Sequence, residues 1–90
     1  MKIALDDVKI QVNLNLLYAK LRFKKDRDIA HSCYRASQEI MVIVDEKMSG
    51  NKIKKILDEY NVTDFVNTPT MKMLEEITEE EPEEDENDKK

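Results

Sequence analysis

From Val8 to Leu16 every second residue is apolar, with Val8, Ile10, Val12, Leu14 and Leu16 separated by Lys9, Gln11, Asn13 and Asn15. A period of two belongs to a strand that buries one face. Yet Leu14, Leu17, Tyr18 and Leu21 also recur at helical spacing, so the pattern predicts a strand over about 8–13 and then a helix over about 15–24. Asn13 or Asn15 would cap that helix. A strand continued through 14–24 is the competing reading.

Lys24-Lys25-Asp26-Arg27-Asp28 has no apolar residue and carries acids suited to a helix start, so it reads as a connection into a second helix. The face of that helix is Ile29, Cys33, Ala36, Ile40 and Ile43 or Val44. Ile40-Met41-Val42-Ile43-Val44 is apolar all round, which implies burial on more than one side, as at a dimer interface; a buried strand is the alternative. Ser49-Gly50-Asn51 divides the second helix from a third over about 52–60, with Ser49 or Asn51 as cap and Ile53, Ile56, Leu57 and Tyr60 on one face. Asn61-Val62-Thr63-Asp64 ends it, Phe65-Val66 packs back on the core, and Thr68-Pro69 starts a last helix that buries Met71, Leu74 and Ile77.

The fold class expected is therefore mainly α with one short N-terminal β-strand, in a dimer whose second copy eases the shortage of core in a 90-residue chain. Residues 1–78 form one small helix-rich domain. Residues 79–90 read as a disordered acidic tail, because after Pro82 the chain has no apolar residue to offset a cost of roughly 1–2 kcal/mol per ordered residue.

Charge sharpens this division. Residues 1–60 carry 12 Lys or Arg against 9 Asp or Glu, and residues 61–90 carry 3 against 11, which together make the net charge of -5. A slightly basic body thus bears an acidic end. No apolar run reaches the roughly 18 residues of a membrane span, and Asp6 and Asp7 interrupt the start before a signal-peptide stretch could form, so a soluble, cytoplasmic protein is expected.

The residue inventory argues against catalysis. His31 is the single histidine and Cys33 the single cysteine, two positions apart and so on different faces of a helix. One glycine cannot build a phosphate-cradling loop, and the acidic run lacks the glycine-centred turn that fixes oxygens around a hard cation. No enzyme, no cofactor and no metal site is expected. The densest basic cluster is Lys20, Arg22, Lys24, Lys25 and Arg27, diluted by Asp26 and Asp28.

The order strand, helix, turn, helix, with Lys9-Ile10-Gln11-Val12-Asn13-Leu14 alternating at its head, resembles the ribbon-helix-helix family of dimeric DNA-binding proteins, the class of the Arc and MetJ repressors. The resemblance covers about residues 8–45. It implies two strands paired across a dimer axis, with Lys9, Gln11 and Asn13 reading base edges and Ile10, Val12 and Leu14 facing a shared core. Phosphate would approach the start of the second helix at about 28–31, beside Lys24, Lys25 and Arg27. The function implied is a regulator or partition-type adaptor on duplex DNA, with the helices after residue 49 as additions to a ribbon-helix-helix-like core. The alternative is a phage-type adaptor or assembly chaperone that holds a protein client through Ile40, Ile43, Ile53, Ile56 and Tyr60 and through the acidic tail.

Overall fold

The computed structural model describes residues 3–44 and 48–80. Helices α1 (Leu5–Arg22), α2 (Arg27–Met41), α3 (Ser49–Glu59) and α4 (Thr68–Glu80) follow one another, with a single 3₁₀ turn at Thr63–Phe65 before the last. Among the described residues there is no strand, which corrects the expected fold class and removes the ribbon from the ribbon-helix-helix-like core. The segment read as strand is the first half of an 18-residue helix.

The physical reason lies in how the alternation divides. At about 100° per residue, Leu5, Val8, Val12, Leu16 and Ala19 fall within an arc of about 80°, while Ile10, Leu14, Leu17 and Leu21 fall within about 60° on the opposite side. The first set is buried and the second exposed. Two helical stripes, each at i, i+3, i+4 spacing, sum to a near-perfect period of two over Val8–Leu16. Lys9 and Asn13 stand where the buried arc meets α2's exit. Asn13 Nδ2 donates to Lys9 O at 2.8 Å, and Lys9 Nζ donates to Ile43 O at 2.6 Å, also lying 3.8 Å from Asp6.

α1 begins without a side-chain cap, but Asp6 and Asp7 occupy its first turn and Lys20 and Arg22 its last, each sign matched to the helix dipole. α2 starts where the acid-rich connection predicts, with Asp26 accepting from Ile29 N at 3.2 Å. It stops at Met41, so the apolar run 40–44 is not one helix buried all round. Ile40 is core, Ile43 half-buried, and Val42 and Val44 exposed, with Ile43 N turned back to Ile40 O.

α3 opens one turn earlier than the glycine break suggests. Its cap is Met48 in the left-handed conformation (φ 68°), and the neighbouring Ser49 Oγ donates to Val44 O at 3.1 Å. Gly50 is buried inside the first turn. The far end closes as the Asn61 run predicts: Asn61 takes φ 57°, Val62 N reaches Leu57 O at 3.0 Å and Asn61 N reaches Asp58 O at 3.1 Å. This is a Schellman closure with asparagine in the usual glycine position.

α4 is capped by Asn67, whose Oδ1 accepts from Thr70 N at 2.9 Å. Asn67 N also donates to Asn15 Oδ1 at 2.6 Å, tying the start of α4 to the middle of α1. α4 buries Leu74 and Ile77 as expected, with Met71 half-buried. The expected break at residue 79 falls inside α4, whose backbone continues to Glu80; the rest of the acidic tail, 81–90, lies outside the described residues. α1 is the hub, packed on α2, on α4 and, at its end, on the 3₁₀ turn. Burying a leucine-sized side chain contributes about 1.5–3 kcal/mol, so Leu16, Ile40, Ile53, Leu57 and Leu74, the largest fully buried side chains, each add comparably to what holds the four helices together.

Candidate interaction surface on the first helix

Among the described residues, most of the exposed large apolar side chains lie on the outer face of α1. Ile10, Leu14, Leu17 and Leu21, with Tyr18 at their flank, are between 40% and 69% exposed. Single exposed leucines need no explanation, but a contiguous row of them on a small domain marks a contact site. Successive spacings of four, three and four residues are those of the a and d positions of a coiled-coil seam, the narrow stripe that a second helix covers.

Beside the row a groove of about 450 Å³ opens between the end of α1 and the 3₁₀ turn, lined in part by Leu14, Tyr18, Arg22, Phe23 and Phe65. Phe23 and Phe65 fix one wall, their rings 5.4 Å apart and inclined by 39°. Arg22 and Asp64 give the groove a polar rim.

The sequence-derived DNA residues divide between inside and outside. Lys9 and Asn13 are buried in the seam between α1 and the chain after α2, and Lys9 has its ammonium bonded to a backbone carbonyl. Gln11 is exposed on α1. Lys24, Lys25 and Arg27 are exposed at the α1–α2 turn and share that turn with Asp26 and Asp28. Of the residues assigned to a shared core, Val12 is buried in this chain's own core, whereas Ile10 and Leu14 face outward.

The five residues expected to hold a protein partner are brought together, but largely inside the molecule. Ile40 and Ile53 are fully buried, and Ile43, Ile56 and Tyr60 are half-buried against the same core. Tyr60 donates to Glu39 Oε2, joining the end of α3 to α2, and that bond to a carboxylate holds its phenol above the ordinary tyrosine range.

Cys33 is buried, which pushes its thiol up and away from the thiolate that nucleophilic chemistry needs. His31 is exposed one turn from Arg27. Lys20 Nζ sits 4.4 Å from the centroid of the Tyr34 ring, a cation held over an aromatic face. Among the described residues no three His, Cys, Asp or Glu side chains converge as a metal site would require, and no helix is long and apolar enough to cross a membrane.

The class of protein defined by this fold is a small four-helix domain with one helix apolar on two sides. No family model, no curated protein and no solved structure matches the chain.

Proposed function

We propose that this protein is a non-enzymatic interaction module that receives an apolar helix of a polypeptide partner along the outer face of α1. The observation that carries this reading is the exposed row Ile10, Leu14, Leu17 and Leu21 at coiled-coil spacing. Each of the four is roughly half exposed, so covering it contributes on the order of 1 kcal/mol, and a partner's facing side chains contribute comparably. The groove beside Leu14 and Tyr18 offers a pocket for one larger side chain, the kind of anchor that dominates interface energetics.

This is the adaptor reading with its surface relocated from α2 and α3 to α1. Duplex DNA as partner would rest on Lys24, Lys25 and Arg27, without a ribbon and with Lys9 and Asn13 turned inward. The row itself has no charge, and apolar side chains suit a helix and not phosphate.

The test is a photoreactive benzophenone amino acid placed at Leu17 of the full chain in cells, with the same group at the exposed Lys72 of α4 as control. Polypeptide adducts at position 17, mapping to an apolar helical segment and absent at position 72, are expected. Equal labelling at both positions rejects the reading.

A further inference from the structure

Resting on that reading, we infer that the helix received by α1 is α1 of a second copy, laid antiparallel about a two-fold axis between Leu14 and Leu17. The seam is self-complementary in that direction. With residue i facing residue 31 − i, Leu14 meets the partner's Leu17 and Ile10 meets the partner's Leu21, so each of the four apolar positions faces another. An antiparallel seam pairs a positions with d positions, and the spacing 10, 14, 17, 21 supplies them alternately.

Charge selects the same direction. Antiparallel, the Asp6–Asp7 end of each α1 lies at the partner's Lys20–Arg22 end and beside the turn that carries Lys24 and Lys25, twice over by symmetry. α1 opens on Asp6 and Asp7 and closes on Lys20 and Arg22, followed by exposed Lys24 and Lys25. A parallel pairing would set acid on acid at one end and base on base at the other. Charges flanking a seam decide partner and orientation. The α1 dipoles also oppose favourably when antiparallel. The interface is isologous, so it closes at two copies.

The experiment is sedimentation equilibrium of the full chain over a range of concentrations, at low and high salt. The expected wild-type result is a reversible dimer, with Leu14→Glu/Leu17→Glu at least about a hundredfold weaker and unchanged in helical content, since both positions face solvent in the monomer. Asp6→Lys/Asp7→Lys alone, and Lys24→Glu/Lys25→Glu alone, should each weaken the dimer roughly tenfold. Putting all four changes in one chain should restore it, because the opposed ends then again carry opposite charge. This restoration separates an orientation effect from damage to the fold.

A dimer that ignores the two glutamates lies on another surface and overturns the inference. So does single-end charge reversal without effect, which indicates a parallel seam. A monomer at all concentrations overturns it too, and position 17 then decides the broader reading. Adducts to other polypeptides keep the interaction module with a different occupant, and no adducts reject both.

Discussion

The inner and outer faces of α1 are made of the same kinds of residue and have opposite fates. Val8, Val12 and Leu16 are fully buried, while Ile10, Leu14 and Leu17, their near neighbours in the chain, are about half exposed. Composition does not separate the two. What distinguishes them is a pair of smaller signals: Lys9 at the edge of the inner face bonds to Ile43 O after α2, and Asn15 reaches across to Asn67 at the start of α4. These polar contacts fix which way α1 is rotated, and the apolar stripes follow.

The sharpest way to break the comparison is to truncate adjacent residues on the two faces. Leu16→Ala leaves a cavity at the centre of the helix hub and should cost about 2–5 kcal/mol, read as a lower denaturation midpoint at constant slope. Leu17→Ala should stay within about 0.5 kcal/mol at a concentration where the chain is monomeric. Equal losses at the two positions would mean that the outer row is buried in the monomer and that the faces do not differ.

A smaller effect tests what sets the rotation. Lys9→Ala removes the ammonium bonded to Ile43 O and leaves that carbonyl without its partner, at an expected cost of about 1–3 kcal/mol. Lys9→Met keeps the stem's packing and loses only the bond, so it should fall between wild type and Lys9→Ala. If Lys9→Met is as stable as wild type, the bond plays no part in orienting α1 and the apolar stripe suffices.

How much of this was legible in the sequence depends on whether a segment has one apolar face or two. α4 has one: Leu74 and Ile77 were identified as its core, and Thr68-Pro69 as its start. The Asn61 closure of α3 and the acid-capped start of α2 were equally readable, because turn and cap chemistry is local. α1 has two faces, and their superposition hid the helix. The row Leu14, Leu17, Tyr18, Leu21 was visible at helical spacing, yet its orientation was not, because no local rule says which of two apolar faces meets the core. The residues expected to meet a partner raise a related point. Burial at Ile40 and Ile53 is real, but it is supplied by the chain's own helices, and all-round burial in a sequence does not say whose atoms provide it.

The last and smallest effect separates the apolar comparison from electrostatics. The four row residues carry no ionisable group, so a titration of monomer stability at high pH must come from elsewhere. Tyr60 is the candidate: its hydroxyl donates to Glu39, and the hydrogen bond to that carboxylate, with burial and the charge of Glu39 behind it, raises its pKa above the usual value of 10.0. The sign follows from which form the fold prefers. The folded chain holds the proton more tightly than the unfolded chain, so the contribution is fully present below about pH 10 and is lost as pH rises through the folded pKa. Monomer stability should therefore fall above about pH 10 in the wild type more steeply than in Tyr60→Phe, which keeps the ring and discards the proton. Parallel pH profiles for the two would show that the Glu39–Tyr60 bond does not persist in solution, and that apolar packing around Ile40, Ile53 and Leu57 holds α2 to α3 without it.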